Sequence, residues 1–349
     1  MRVRGLGRVA AARRRLLGRL LPGPTILLYH RIIELEHDSQ LLAVSPRNFS
    51  EHVAVLQERY TVLPLGVLVE RIATGTAPPN AVAVTFDDGY ADNLHEARRL
   101  LVRHGLPATV FVAAGYVGAA REFPWDELER LLLLLPDRPA SLSLDVHATR
   151  HEWNLSTNGA APTTAAEHGP ADPWNVECGQ EPTGLHAAYR QIVALFSELD
   201  SRSRDELWGQ LRGRLGDPGP PRPEYRALTV EELRELASDG LIEIGAHTMT
   251  HPMLSALDSA AQSNEIVRSK RFLEDQTGRS VDAFSYPYGT RASYTHETVR
   301  IVREAGFRSA CSNFRGRMSR RTDPFQLPRF VVRNWTGDEF ARCLATARL

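Results

Sequence analysis

Short apolar segments alternate with amphipathic segments along most of the chain. The apolar segments are brief and rich in β-branched residues, as buried parallel strands are. The predicted strands are Thr25–Tyr29, Ala81–Phe86, Ala108–Val112, Leu241–Gly245, Val281–Ser285, Arg308–Cys311 and Gln326–Phe330. Alternating strands and helices over this length predict an α/β fold, namely a deformed, incomplete β/α barrel in which the first strand neighbours the last.

Helix signals lie between these strands. One helix is predicted after Ser45, where apolar residues recur on one face. A second begins at Thr229, because Glu232 three residues later completes a capping box. A third covers Asp258–Gln276 and ends before Gly278, a residue typical of helix C-termini.

A segment from about 121 to 227 interrupts this alternation. Ser141–Leu155 alternates between apolar and polar positions, which predicts a hairpin, and Thr157–Pro182 is rich in Gly, Pro, Ala and Thr, which predicts a loop. Two helices with polar faces follow. We therefore predict a barrel over 25–349 that carries this segment as a hairpin-and-helix insertion.

Residues 1–24 form a basic arm that contains no acidic residue. Its arginines interrupt every apolar stretch, whereas a signal peptide needs an unbroken apolar segment. Two interpretations remain open: an amphipathic helix lying on an anionic membrane, or a solvated basic arm. The arginines are Arg2, Arg4, Arg8, Arg13, Arg14, Arg15 and Arg19.

The composition excludes some classes of partner and compartment. Lys plus Arg and Asp plus Glu both number 42, so nothing global favours nucleic-acid binding. The three cysteines are far apart, which fits a reducing compartment, and no apolar run is long enough to span a bilayer. We expect a cytoplasmic protein, with the arm as its only predicted contact with the inner membrane surface. No protein partner is implied.

Two adjacent carboxylates follow the predicted strand Ala81–Phe86. Burying the carboxylates of Asp87 and Asp88 at the end of an apolar strand costs free energy unless something pairs with them. Side chains of adjacent strand residues point to opposite faces, but Gly89 permits a turn that would bring both carboxylates to one site. The alternative is a simple Asx-turn that closes the strand.

Two histidines follow the predicted strand Leu241–Gly245. His247 and His251 are four residues apart, so both imidazoles would face the same way on one helical turn and reach one cation. Two solvated histidines in a loop are the alternative. Together with Asp88 they give three ligands, the number that catalytic zinc sites use, although cobalt, nickel and iron also suit these ligands. Asp87 would then be the general base.

A third segment, from Phe284 to Gly289, places aromatic residues around a Pro-Gly turn. It would form the wall of a sugar pocket, or simply a packed turn. The three segments, in this order, resemble the motifs of the polysaccharide deacetylases, which are carbohydrate esterase family four and contain the NodB homology domain. That resemblance implies that Asp87 is the base, that Asp88 and both histidines bind the metal, and that the backbone N–H of Tyr288 binds the oxyanion.

The sequence around 26–32 and after the second histidine also resembles the bacterial branch associated with capsule and exopolysaccharide assembly. The resemblance implies metal-dependent removal of an N-acetyl group, or less readily an O-acetyl group, from an acetylated amino sugar. Three alternatives stay open: an amidohydrolase acting on small non-sugar amides, a catalytically inactive carbohydrate-binding homologue, and a scaffold recruited to the membrane by its arm.

Two positions depart from the family pattern. Ser285 stands where the family usually has an arginine that pairs with the catalytic aspartate, and we predict that Arg329 takes this role from a late strand. The family often supplies a late histidine as general acid, but no histidine follows His296. His30, at the end of the first strand, is the candidate acid. The alternative is a core histidine bonded to a neighbouring carbonyl.

Overall fold

A computed structural model describes residues 23–134, 139–155 and 174–346. The predicted arm at 1–24 lies almost entirely outside these ranges, as does most of the predicted loop Thr157–Pro182. Those two predictions are therefore untested. Among the described residues, no helix is both long enough and apolar enough to cross a lipid bilayer.

A curved parallel sheet forms the centre of the fold. Its strands follow the order β11-β10-β9-β6-β5-β1-β12, with β4 paired to β5, while β2–β3 and β7–β8 form separate pairs. The described strands are β1 (Thr25–Tyr29), β2 (Arg31–Ile32), β3 (Ala43–Val44), β4 (Thr61–Val62), β5 (Ala81–Phe86), β6 (Ala108–Val112), β7 (Ser141–Val146), β8 (Thr149–Asn154), β9 (Ile242–Ala246), β10 (Ala283–Ser285), β11 (Ser309–Cys311) and β12 (Phe330–Val331).

Helices connect most of these strands. The described α-helices are α1 (Pro46–Arg59), α2 (Leu65–Thr74), α3 (Arg99–His104), α4 (Pro124–Glu129), α5 (Gly184–Glu198), α6 (Ser201–Leu215), α7 (Val230–Leu236), α8 (Ser259–Thr277), α9 (His296–Glu304) and α10 (Gly337–Thr346). Asn93–Arg98 and Arg130–Leu134 are π-helical, and Ala114–Tyr116, Pro223–Tyr225 and Leu254–Ala256 form 3₁₀ turns. The capping box at Thr229 and the left-handed Gly278 that ends α8 are both present, as predicted.

The chain closes the barrel incompletely through its last strand. Leu327 forms a bridge with Cys311 of β11, and Phe330 then pairs with Leu27 of β1. The predicted strand Gln326–Phe330 was wrong in its bounds, because regular pairing begins only at Phe330. Pro328 lies between the two pairings and has no N–H to donate to a ladder, which explains the interruption. The predicted class, an incomplete β/α barrel, is confirmed.

The predicted insertion contains the expected hairpin, β7–β8, followed by α5 and α6. Its apolar side chains form a cluster separate from the main core of the barrel. The cluster includes Leu128, Leu131, Leu142, Leu144, Trp153, Tyr189, Ile192, Phe196, Leu207 and Leu211. The insertion therefore has its own core, and a smaller apolar cluster packs its Phe123 and Trp125 against Tyr90 and Tyr116 of the barrel.

Candidate metal centre and active site

The two aspartates lie at the carboxyl end of β5, in a turn with left-handed backbone. Asp88 has φ 75° and Gly89 has φ 84°, and the N–H of Gly89 donates to the carbonyl of Asp87 at 3.0 Å. This turn breaks the alternation of the strand, so both carboxylates face one site. A Cβ at position 89 would lie 2.9 Å from Cγ1 of Val112, so both space and backbone require glycine there.

Asp88, His247 and His251 converge on one point. Oδ1 of Asp88 lies 3.6 Å from Nε2 of His247 and 3.4 Å from Nε2 of His251, and all three side chains are buried. One potential ligand atom from each residue lies within 4.8 Å of the others. These are the residue types and the spacing that a divalent cation with two imidazole ligands and one carboxylate ligand requires.

The electrostatics of the three residues also fit a cation. Burial, and then the neighbouring Asp87, raise the pKa of Asp88 well above its usual value, and no described residue donates a hydrogen bond to its carboxylate. Burial lowers the pKa of both His247 and His251, which keeps the imidazoles in the neutral form that binds metals. A cation bound here would compensate the buried negative charge of Asp88.

Surrounding groups orient each imidazole. Nδ1 of His247 lies 2.7 Å from the carbonyl oxygen of Ser285, and donation to that oxygen leaves Nε2 as the metal-facing atom. The ring of His251 lies between Trp125 and Tyr288, with ring centroids 5.0 Å and 4.9 Å away. Its Nδ1 is buried and has no described hydrogen-bond partner, so ring packing and the backbone fix this imidazole.

The predicted helical turn at the two histidines is wrong. Residues 247–253 form an irregular loop, in which Thr248 has φ 64° and His251 has φ 57°. The two Nε2 atoms converge because the backbone bends, not because of helical spacing. Glu265 of α8 fixes this loop by accepting the N–H groups of Met249 and Thr250, both at 2.8 Å. No sequence pattern had identified Glu265.

Asp87 forms a buried bidentate pair with Arg329. Nη1 and Nη2 of Arg329 lie 2.7 Å and 2.6 Å from the two carboxylate oxygens of Asp87. The hydroxyl of Ser285 also donates to Asp87 at 3.2 Å and accepts from Arg329 at 2.8 Å, so a small residue at 285 leaves room for the guanidinium. Burial alone would raise the pKa of Asp87, but Arg329 outweighs it and holds that pKa well below the usual value. The structure thus places Arg329 on Asp87, while the catalytic role of each remains a prediction.

Tyr288 presents a free backbone donor near the site. It has φ 61°, and its N–H donates to no acceptor among the described residues. Left-handed backbone is uncommon for a residue with a large side chain and occurs mainly where surrounding contacts or function require it. This geometry is compatible with an oxyanion donor, and the role itself remains a prediction.

His30 follows β1 and lies at the same end of the barrel. Burial lowers its pKa to about 4, against the opposing effect of nearby Asp87, so the imidazole is neutral at neutral pH. Its side chain is half-buried, and no described residue bonds to its ring. The alternative of a core histidine bonded to a carbonyl therefore has no support among the described contacts, and the role of His30 as an acid stays a prediction.

Residues of the insertion reach the site, which the sequence did not predict. Nε1 of Trp125, in α4, donates to the hydroxyl of Tyr90 at 2.7 Å, and that hydroxyl donates to Asp126 at 2.6 Å. Burial raises the pKa of Asp126 to about 8. These residues could not be predicted because a lone Trp-Asp pair has no distinctive spacing.

These features define a class of protein. Its members are incomplete β/α barrels with two histidines and an aspartate at the carboxyl edge of the sheet. The sequence model of the polysaccharide deacetylase family matches residues 74–154 and 221–310, which include all three motif segments and leave 155–220 unmatched. The chain belongs to the polysaccharide deacetylase family.

A named relative agrees with this assignment. YxkH of Bacillus subtilis (strain 168), whose name places it among the polysaccharide deacetylases, is 25% identical over 139 residues. The match covers 39% of this chain and 45% of YxkH, so the chain spans less than half the length of that relative.

Three solved structures share the fold over nearly the whole chain. Streptococcus pyogenes deacetylase PplD in complex with acetate has 16% identity and a TM-score of 0.56, covering 93% of this chain and 99% of its own. IcaB from Ammonifex degensii has 18% identity and a TM-score of 0.54, covering 94% and 98%. A de-N-acetylase from Aggregatibacter actinomycetemcomitans has 13% identity and a TM-score of 0.53, covering 92% and 99%. At these identities the likeness shows the fold alone.

Proposed function

We propose that this protein is a metal-dependent hydrolase that removes the N-acetyl group from an amino sugar in a polysaccharide or glycan precursor. One observation carries the proposal: a carboxylate fixed by an arginine, Asp87, lies beside a buried Asp88, His247 and His251 set that fits a cation. Two structural neighbours support the acetyl substrate, since one is a de-N-acetylase and another was solved in complex with acetate. Zinc is the first candidate metal, and cobalt, nickel and iron are alternatives.

Each residue would have a distinct task. A divalent cation bound by Asp88, His247 and His251 would lower the pKa of a water molecule and polarise the acetyl carbonyl. Asp87, ionised because of Arg329, would accept the proton of the attacking water. The free N–H of Tyr288 would donate to the oxyanion of the tetrahedral intermediate. Acetate and the free amine would then separate after the nitrogen is protonated.

His30 is the candidate that protonates the leaving nitrogen. Because burial keeps its imidazole neutral, His30 would have to receive a proton during the reaction before it donates one. We expect His30→Gln to lower kcat by about 100-fold or more, the usual contribution of a general acid, with metal content unchanged. Steady-state kinetics of acetate release and elemental analysis measure both quantities. Turnover near that of the wild type would remove His30 from the mechanism.

The function is tested by incubating the purified protein with N-acetylhexosamine oligosaccharides and measuring acetate, together with elemental analysis. We expect about one divalent metal per chain and metal-dependent acetate release, because three ligands leave a position open for water. The His251→Ala variant should lose both the bound metal and the acetate release. A protein that binds the metal but hydrolyses ureides or formamides instead would be an amidohydrolase of small molecules. Metal binding without any hydrolysis would indicate an inactive carbohydrate-binding homologue.

A further inference from the structure

The insertion contacts the metal-binding loop through one buried arginine. Arg204 lies in the first turns of α6 and is only 5% exposed. Its Nε donates to the carbonyl of Phe196 at 2.7 Å, and Nη2 also lies 3.5 Å from the carbonyl of Ser197; both carbonyls belong to the last turn of α5. The last carbonyls of a helix have no partner within the helix and carry partial negative charge, so they suit a cation.

The same guanidinium reaches the loop that carries the histidines. Nη1 donates to the carbonyl of Thr250, and Nη2 donates to the carbonyl of His251 at 3.2 Å. The N–H of Met253 adds a second connection by donating to the carbonyl of Ser197 at 2.7 Å. Arg204 is the described partner of both loop carbonyls, so removing its side chain leaves two carbonyls of the metal loop without a donor.

The backbone at His251 needs such support. Its φ of 57° lies in the left-handed region, and Pro252 follows it, although a residue before proline favours extended backbone. A strained conformation persists only where surrounding contacts over-determine it. Two contacts meet that requirement here: the N–H of His251 donates to the hydroxyl of Thr248 at 3.0 Å, and its carbonyl accepts from Arg204. Relaxation to extended backbone would move the imidazole away from Asp88.

We propose that Arg204 is a positioning residue for the metal centre, and that the insertion serves to hold His251 in its metal-binding conformation. This inference rests on the proposed function only in assuming that Asp88, His247 and His251 bind a divalent cation. It assigns to the insertion a role in metal affinity, whereas a purely structural arginine would affect only the stability of the fold.

The test compares two buried arginines of the insertion. Arg204→Met removes the contacts with the loop. Arg130→Met removes bonds to the carbonyls of Gly219 and Pro220 and the ion pair with Glu122, none of which lies in the metal loop. The dissociation constant for Zn²⁺ is measured by competition with a chelating dye on each folded variant. We expect Arg204→Met to weaken Zn²⁺ binding about 10- to 100-fold, the usual effect of losing an outer contact of a ligand, and Arg130→Met to leave it within about twofold.

A second variant of Arg204 and a hydrogen-exchange experiment also test whether the insertion contributes to Zn²⁺ affinity. If Arg204→Met does not fold, Arg204→Lys retains the charge without the planar fork, and we expect it to bind Zn²⁺ less tightly than the wild type. Hydrogen exchange at the N–H of Met253 should slow when Zn²⁺ is added to the wild type, because coupling between docking and binding is reciprocal. Equal Zn²⁺ affinity in Arg204→Met and wild type, or equal losses in both methionine variants, would overturn the inference. A wild-type protein that binds no metal would instead overturn the proposed function.

Discussion

Replacing Asp87 by asparagine should abolish most of the activity while leaving the metal in place. Asp87 is not among the three converging ligands, and Arg329 keeps its carboxylate ionised, so under the proposed mechanism the change removes the proton acceptor and leaves all three ligands in place. We expect kcat for acetate release to fall by about 10²–10⁴-fold, the range for loss of a general base. Kinetics and elemental analysis of the same preparation check both parts.

Asp88→Asn is the matched control, because the two carboxylates are adjacent in one turn. It should lose metal along with activity, since the charged ligand is gone. If Asp87→Asn also loses its metal, Asp87 is a ligand and the assignment of the two aspartates is wrong. If it keeps both metal and activity, another group takes the proton.

Replacing Arg329 by methionine should affect stability as well as catalysis. The change leaves the buried carboxylate of Asp87 without its bidentate partner, and breaking such a pair typically costs about 3–5 kcal/mol of unfolding free energy. The pKa of Asp87 should rise once the guanidinium that lowers it is gone. Denaturant titration of the metal-free protein and acetate-release kinetics measure the two effects.

A double variant separates the charge effect from lost packing. In Asp87→Asn/Arg329→Met neither buried charge remains, so the double variant should be more stable than Arg329→Met alone. Arg329→Met with wild-type activity and a loss of less than about 1 kcal/mol would show that the pair has no such role, since that is an ordinary mutational effect.

The sequence predicted the parts of this fold that depend on local pattern. β1, β5 and β6 have the predicted bounds, because continuous apolar runs between turn signals identify buried strands. The last strand was displaced, since its bounds depend on which neighbour each residue pairs with on either side of Pro328. Long-range pairing of this kind is not encoded in a local window.

The site residues also divide into those that a local sequence motif identifies and those that only long-range contacts reveal. Motif residues Asp87, Asp88, His247 and His251 were identified because family motifs are local, and the structure brings them together. The helical turn expected at the histidines was wrong because Pro252 and the contacts of Glu265 override the preference that spacing alone suggests. Arg204 and Trp125 were missed, since nothing near them in sequence connects them to a loop more than forty residues later.

The position of β12 has a consequence for protein synthesis. β1 is made first but acquires its second neighbour only when Phe330 and Val331 arrive, and Asp87 acquires its guanidinium partner at the same stage. Until then the growing chain carries an unpaired strand edge, which is a surface that favours aggregation. A ribosome-bound chain that stalls before Arg329 would carry Asp88, His247 and His251 yet lack the guanidinium that holds the pKa of Asp87 low, so under the proposed mechanism hydrolytic competence should be acquired only after Arg329 is made.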